Sequence, residues 1–144
     1  MSTEPPASSW VSPVLVVGDS PIDGRGLFVT SSVEAGEQLV RFGGSLVGDA
    51  ELRSLIDQAE RTGGYVDTIG LAAGRHLVLD ETIARFGNHS CAPTASMESL
   101  TTLVAKRALV PGYEVTVDYA TLSTLPGWSM TCRCGADRCR GTIH

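Results

Sequence analysis

The chain has 144 residues, of which 42% are hydrophobic and 19% charged, and its formal net charge is −5. This length favours a single domain, and the composition is typical of a folded chain and excludes a chain disordered throughout. The longest apolar run, residues 14–17, is far too short to cross a bilayer, and the negative charge argues against direct nucleic-acid binding and favours a basic partner.

The first twelve residues contain two prolines and five serine or threonine residues without any periodicity. This composition predicts a flexible N-terminal tail over residues 1–12. The same segment lacks the basic and apolar regions of a secretory signal. We therefore expect a cytoplasmic protein, or a nuclear one if the source is a eukaryote.

Short runs of β-branched and aromatic residues, bounded by turn residues, predict strands in both halves of the chain. These runs are residues 13–17, 26–29, 38–42, 65–69, 76–79, 96–104 and 114–119. One helix is predicted over 49–61, with Asp49 as its N-cap and apolar residues at positions 52, 55, 56 and 59. The expected fold is mainly β, with the helix packed on a sheet.

The four cysteines carry the clearest chemical signal. Cys132, Cys134 and Cys139 form a C-x-C-x4-C cluster near the C-terminus, and Cys91 lies upstream of it. Four thiolates are the ligand set of a closed structural zinc site, so we predict bound Zn²⁺. Two disulfides or four unrelated buried thiols are the alternatives. The expected reducing compartment and the close C-x-C spacing disfavour disulfides.

Three further segments precede this cysteine cluster in a fixed order. Residues 24–28 read GRGLF, residues 85–91 read RFGNHSC, and residues 111–119 read PGYEVTVDY. Alone, the first segment is typical of a turn. Together the four elements resemble the G-x-G segment, the R-F-x-N-H-S-C motif, the G-E-E-L-T-x-D-Y strand and the post-SET zinc motif of SET-domain protein lysine methyltransferases. The resemblance extends from residue 20 to residue 141.

This resemblance implies a SET-domain (β-clip) fold of several short sheets with one short helix and a zinc-bound C-terminal post-SET tail. It divides the chain into a tail over 1–12, a SET domain over 13–126 and a post-SET segment over 127–144. Thr94 and Tyr113 depart from the family pattern, which has Asn and Glu at these positions.

The roles of the family's residues, carried over position by position, assign Tyr119 as the active-site tyrosine and the four cysteines as ligands of a structural zinc ion. The implied cofactor, S-adenosylmethionine, would be bound by Gly24, Arg25, Gly26, Tyr65, Asn88, His89, Trp128 and Ile143. A buried core role is the alternative for His89, and plain packing is the alternative for Trp128 and Ile143.

The implied activity is methyl transfer to a lysine of a basic protein, such as a histone or a histone-like protein. The hydroxyl of Tyr119 would align the lysine amine with the cofactor, and the lysine would react as the neutral amine. The identity of the substrate, the number of methyl groups added and the formation of a homodimer are left open.

Two other functions fit parts of the pattern. A catalytically degenerate SET-like module would bind a basic peptide without methyl transfer, and it would still bind the cofactor. A zinc-stabilised β scaffold would use Gly24 and Gly26 only as turn residues and would bind no cofactor.

Overall fold

The computed structural model describes residues 5–22, 24–64, 66–125, 127–132 and 134–144. Tyr65, one of the residues predicted to bind the cofactor, lies outside the described residues. Within these ranges the strands are β1 (Trp10–Val11), β2 (Leu15–Asp19), β3 (Arg25–Val29), β4 (Gln38–Arg41), β5 (Gly44–Val47), β6 (Thr68–Ala72), β7 (Arg75–Leu79), β8 (Asn88–His89), β9 (Ala95–Met97), β10 (Thr102–Ala105), β11 (Glu114–Val117), β12 (Met130–Thr131) and β13 (Thr142–Ile143). Helix α1 spans Asp49–Arg61, and short 3-10 helices span Ile83–Phe86 and Tyr119–Thr121.

The strands of the described residues form three small sheets and one hairpin. The sheets have the strand orders β1-β4-β10-β9, β2-β3-β11-β8 and β5-β7-β6, and the hairpin joins β12 to β13. The pairings are antiparallel, except that β8 runs parallel to β11. The predicted mainly β fold of several short sheets with one α-helix is therefore confirmed.

The parallel pairing of β8 with β11 brings two sequence motifs side by side. Asn88 lies opposite Thr116, and His89 lies opposite Val117. On its other edge β11 pairs with β3, whose first residues belong to the G-x-G segment. Strand β11 therefore connects the segments whose side chains form the candidate site.

Buried apolar side chains form a main core and a small C-terminal cluster. The main core consists of Leu15, Leu27, Val29, Val33, Leu39, Val40, Phe42, Ile69, Leu77, Ala84, Ala95, Leu103, Ala105, Leu109, Val115 and Val117. Each fully buried leucine contributes about 1.5–3 kcal/mol to stability. The second cluster consists of Cys91, Cys132 and Ile143, with Trp128 and Met130 packed against it. The C-terminal segment is thus organised around the cysteines.

The helix forms over the predicted residues, but the prediction of its cap is wrong. Gly48 is the N-cap, and no side chain caps the helix. Asp49 instead accepts a hydrogen bond from Nε2 of the buried His76 on β7, at 2.5 Å. The carboxylate that the sequence predicts as the helix cap therefore binds a histidine on another strand instead. Of the four apolar positions of the predicted stripe, Leu52 is fully buried.

Among the described residues, no helix is long and apolar enough to cross a membrane.

Three strand predictions also differ from the structure. Among the described residues of the run 65–69, the strand begins at Thr68, and the run 96–104 is split into β9 and β10. The bend between them includes a bond from the N–H of Thr101 to the hydroxyl of Ser99. Strand β11 ends at Val117, because Asp118 accepts a hydrogen bond from the N–H of Ala120 and starts a 3-10 helix. Tyr119 therefore lies in a helical turn and not on a strand.

The described part of the predicted N-terminal tail, residues 5–12, includes a short strand. Trp10–Val11 forms β1 and pairs with β4, and the guanidinium of Arg41 lies 4.6 Å from the centre of the Trp10 ring. The N–H and hydroxyl of Ser9 donate to the carboxylate of Asp80 at 2.8 and 2.6 Å. The predicted boundaries of the SET and post-SET segments stay predictions.

Candidate active site and cysteine cluster

Asn88 connects the G-x-G segment to β11. Its side-chain amide donates to the carbonyl of Arg25 at 3.0 Å and to Oε2 of Glu114 at 2.9 Å. The hydroxyl of Ser20 lies 2.9 Å from each carboxylate oxygen of Glu114. The loop that precedes β3 is therefore held by Glu114 as well as by Asn88.

The two glycines of the G-x-G segment have different surroundings. Gly24 has a φ of 46° and nothing within 4 Å of an ideal Cβ, so it is a turn residue beside open space. Gly26 is buried, and a Cβ on it would overlap Oε2 of Glu114 and lie 3.0 Å from Nδ2 of Asn88. A side chain at position 26 would therefore require the carboxylate of Glu114 to move.

Both ring nitrogens of His89 face protein groups. Its Nδ1 accepts a hydrogen bond from the N–H of Tyr119 at 3.0 Å. The proton of the neutral ring therefore lies on Nε2, which is 3.4 Å from Sγ of Cys91. His89 is only 4% exposed, so its side chain acts as a buried connection between Tyr119 and the cysteine cluster.

Tyr119 is held by its backbone, its ring and its hydroxyl group. Its hydroxyl donates to the carbonyl of Gly87, the residue immediately before β8. Its ring packs edge-on against the ring of His89, with 5.4 Å between the ring centres. These contacts fix the phenol oxygen relative to β8.

Two cavities meet at Tyr119. The larger has a volume of about 460 Å³, and His89, Val117 and Trp128 are among its lining residues. The smaller has a volume of about 280 Å³ and is lined in part by Gly24 and Arg25. Four residues line both cavities: Asp67, Arg85, Asn88 and Tyr119.

The predicted cofactor-binding residues divide between these cavities. Gly24, Arg25 and Asn88 line the smaller one, and Asn88, His89 and Trp128 line the larger one. Gly26 and Ile143 are among the described residues that line neither cavity, and Ile143 is fully buried in the cluster that includes Cys91 and Cys132.

Asp67 in the shared wall is a residue that the sequence reasoning missed. Burial raises the pKa of its carboxyl group, and the nearby guanidinium of Arg85 lowers the pKa only in part. A carboxylate between Val66 and Thr68, in a run predicted as a strand, is the only signal that the sequence offers for it.

The four cysteine sulfurs lie within 4.8 Å of one another. Sγ of Cys132 is 3.7 Å from Sγ of Cys91 and 3.5 Å from Sγ of Cys139. Tetrahedral zinc with bonds of about 2.3 Å separates its sulfur ligands by about 3.8 Å. The cluster therefore has the ligand type, the number and the spacing of a structural zinc site.

The pKa values of the thiols are spread widely. Burial raises the pKa of Cys91, but hydrogen bonds, chiefly from Arg140, lower it to about 7. Burial likewise raises the pKa of Cys134, whereas hydrogen bonds from backbone N–H groups and neighbouring thiols lower it to about 6. Burial and the adjacent thiols raise the pKa of Cys132 to about 12. Thiolates this close repel one another, so deprotonation of all four requires a cation among them.

Arg140 and Asp118 form a second contact that the sequence reasoning missed. Nη2 of Arg140 donates to Oδ1 of Asp118 at 2.7 Å, and Nε of Arg140 donates to Sγ of Cys91 at 3.3 Å. The hydrogen bonds to Cys91 and to Asp118 raise the pKa of Arg140 further above its ordinary value. No spacing rule marks this pair, because the two residues meet only in the folded chain.

Comparison with known proteins identifies the family. The SET domain family model matches residues 24–120. Histone-lysine N-methyltransferase trithorax of Drosophila virilis is 34% identical over 141 residues, which cover 87% of this chain and 3% of that protein. An H3 lysine-4 specific histone-lysine N-methyltransferase of Cryptococcus neoformans var. neoformans is 31% identical over 137 residues, covering 87% of this chain and 9% of that protein. The chain thus spans less than a tenth of the length of these relatives.

A solved structure supports the fold. The methyltransferase domain of human histone-lysine N-methyltransferase SETMAR superimposes with a TM-score of 0.73 at 22% sequence identity, covering 93% of this chain and 59% of that one. The family match covers the G-x-G segment, the RFGNHSC motif and Tyr119. The chain belongs to the SET domain family.

Proposed function

We propose that this protein is an S-adenosylmethionine-dependent protein-lysine N-methyltransferase that acts on a basic protein such as a histone or a histone-like protein. The observation that carries the proposal is the meeting of two cavities at a wall that contains Asn88 and Tyr119. A two-substrate transfer needs this arrangement, because its reactants must approach one another from separate binding sites.

The smaller cavity and the shared wall fit the cofactor. S-adenosylmethionine, when bound, supplies a methyl group on a positively charged sulfonium. The wall presents the carboxylate of Asp67 and the guanidinium of Arg85, and Arg25 lines the smaller cavity. Groups of both signs suit the ammonium and the carboxylate at the amino-acid end of this cofactor.

The larger cavity fits the lysine side chain. Its walls include apolar residues such as Leu79 and Val117, which suit a lysine methylene chain. An apolar channel also disfavours the charged ammonium form, so lysine reaches the reaction as the neutral amine. Tyr119, held by Gly87 and His89, orients that amine at the junction of the cavities.

Cys91, Cys132, Cys134 and Cys139 hold a structural zinc ion in this proposal. Four protein ligands leave no open coordination position, so the ion organises the C-terminal segment and takes no part in the chemistry. It would join that segment to Cys91, two residues after His89.

The named relatives act on histones, and the present chain carries a net charge of −5. Opposite charge favours the encounter with a Lys-rich protein. We therefore propose a basic protein substrate, and a nuclear location if the source is a eukaryote.

Methyl transfer can be tested directly with the zinc-loaded chain, methyl-labelled S-adenosylmethionine and purified core histones, with a lysate as a second substrate source. We expect label on lysine side chains, located by mass spectrometry. A peptide with the labelled lysine replaced by arginine is the substrate control, and the Tyr119→Phe variant is the enzyme control.

Two results would overturn the proposal. Binding of the cofactor without transfer to any histone or lysate protein would support the peptide-binding alternative. No cofactor binding by folded, zinc-loaded protein in calorimetry would support the scaffold alternative.

A further inference from the structure

Arg140 bridges the cysteine cluster and the residue before Tyr119. Its backbone N–H and its Nε both donate to Sγ of Cys91, at 3.4 and 3.3 Å. Its Nη2 donates to Oδ1 of Asp118 at 2.7 Å. One guanidinium therefore contacts a predicted zinc ligand and the acidic residue immediately before Tyr119.

Asp118 connects Arg140 to the start of the 3-10 helix. The oxygen that binds Arg140 also accepts the N–H of Ala120 at 3.0 Å. Asp118 is thus the cap of the helical turn that begins at Tyr119. Its position helps to set the direction in which the chain leaves β11.

His89 supplies a second connection between the same two places. Its Nδ1 accepts the N–H of Tyr119, and its Nε2 faces Sγ of Cys91 at 3.4 Å. Besides Cys132, Sγ of Cys91 therefore contacts Arg140 and His89. Arg140 connects it through Asp118 to the N–H of Ala120, and His89 connects it to the N–H of Tyr119. The contacts form a closed ring.

We propose that Arg140 is a positioning residue through which the zinc-bound state of the cysteine cluster holds Tyr119 in place. A zinc-bound Cys91 thiolate has a fixed position and accepts the bonds from Arg140, which in turn holds Asp118 against the helical turn. Outer contacts of this kind orient ligands and neighbouring groups at metal sites. If bound zinc stabilises the contact between Arg140 and Asp118, that contact stabilises bound zinc by the same free energy. Loss of the contact must therefore weaken zinc binding.

The chemistry of this bridge is specific to arginine. Its guanidinium directs Nε and Nη2 to two acceptors at once, whereas a lysine ammonium is a single point charge. Arg140→Lys should therefore keep the charge but lose the simultaneous contact, and Arg140→Gln should lose both.

The test uses the full chain with stoichiometric Zn²⁺ and measures the stability of the 3-10 turn directly. Amide hydrogen exchange of Tyr119 and Ala120, whose N–H groups donate to His89 and Asp118, reports on its closure. We expect slow exchange in the zinc-loaded wild type, and at least tenfold faster exchange after zinc removal. Arg140→Gln should show the faster exchange even when zinc is bound.

Zinc affinity and turnover provide two further readouts. Competition with a chromophoric chelator should show about 10–100-fold weaker zinc binding in Arg140→Gln, and kcat of the loaded variant should fall by a similar factor, with KM for the cofactor nearly unchanged. Arg140→Lys should recover only part of either loss. Arg138→Gln, an exposed arginine in the same segment, is the matched control.

A double-mutant cycle separates positioning from general destabilisation. If Arg140 acts through Asp118, Arg140→Gln and Asp118→Asn together should cost no more than the larger single change. Additive losses, or unchanged amide exchange in zinc-loaded Arg140→Gln, would overturn the proposal. The proposal rests on the proposed function for its kcat readout alone. Amide exchange and zinc affinity test it even in a chain that transfers no methyl group.

Discussion

Gly26 lies directly against the carboxylate of Glu114. An ideal Cβ at position 26 would overlap Oε2 of Glu114 and would lie 3.0 Å from Nδ2 of Asn88. That carboxylate itself accepts hydrogen bonds from Ser20 and Asn88. The glycine therefore leaves room for a hydrogen-bonded carboxylate that joins three segments of the candidate site.

Gly26→Ala should displace the Glu114 carboxylate. Because overpacking in a closed site costs about 1–3 kcal/mol, we expect a loss of this size in the free energy of unfolding. Urea denaturation measures it, and calorimetry should show weaker cofactor binding as Asn88 shifts with its partner. Larger losses are expected for Gly26→Val.

The control is the same change in a Glu114→Ala background, where the added methyl group has room. The extra cost of Gly26→Ala should fall there to less than about 1 kcal/mol. An equal cost in both backgrounds would show that Glu114 is not the group that excludes a side chain.

Metal analysis tests the cysteine cluster. We expect one zinc ion per wild-type chain, because the four sulfurs lie within 4.8 Å of one another and the donor set suits zinc. Cys134→Ser removes one ligand and should weaken zinc binding at least tenfold in a chelator competition. Limited proteolysis should then cut residues 127–144 first, since the main core contains none of the cysteines.

Thr131→Ser, at an exposed position beside the cluster, is the control for this experiment and should leave the zinc content unchanged. Wild-type protein purified under reducing conditions and supplied with zinc, yet free of metal, would contradict the prediction. Two disulfides found by mass spectrometry would contradict it as well.

The sequence predicts which residues form the site better than it predicts how the fold brings them together. Asn88, His89, Tyr119 and the cysteines stand in motifs whose residue types and order carry information, and the structure brings most of them together. Their meeting depends on the parallel pairing of β8 with β11, which joins segments far apart in the chain. Local patterns contain no signal for such a pairing.

The errors have the same physical origin. Asp49 has the residue type of a helix cap, but the buried His76 binds its carboxylate. A strand of two residues, such as β1, is too short to show alternation. Asp67 and Arg140 are single charged residues whose partners come from other segments. Tertiary contacts decided each case, and a linear pattern cannot show them.

Asp67→Asn should stabilise the protein at neutral pH. Burial raises the pKa of Asp67 in the folded state above its ordinary value of 3.8, so ionisation costs stability at every pH above the folded pKa. That cost shrinks as the pH falls through the folded pKa and is absent below 3.8. We expect Tm to rise by about 1–3 °C at pH 7, with the gain lost in acid.

Thermal unfolding of the variant and the wild type across this pH range measures the difference. Asp19→Asn, at an exposed end of β2, is the control and should leave Tm unchanged. A gain that is independent of pH would show that the carboxylate charge is not its source.

Tyr119→Phe separates an enzyme from a binding module. The change keeps the ring against His89 and removes only the hydroxyl that donates to Gly87. If that oxygen orients the amine in the transition state more than in the ground state, kcat should fall on the order of 10²-fold while cofactor affinity stays nearly intact. The loss of one hydrogen bond should lower the unfolding free energy by only about 1 kcal/mol. Single-turnover transfer to a lysine peptide measures the rate, and calorimetry measures the affinity.

Tyr113→Phe, at an exposed tyrosine, is the control. Full methyl transfer by Tyr119→Phe would show that this hydroxyl only packs the site and that the reaction is centred elsewhere.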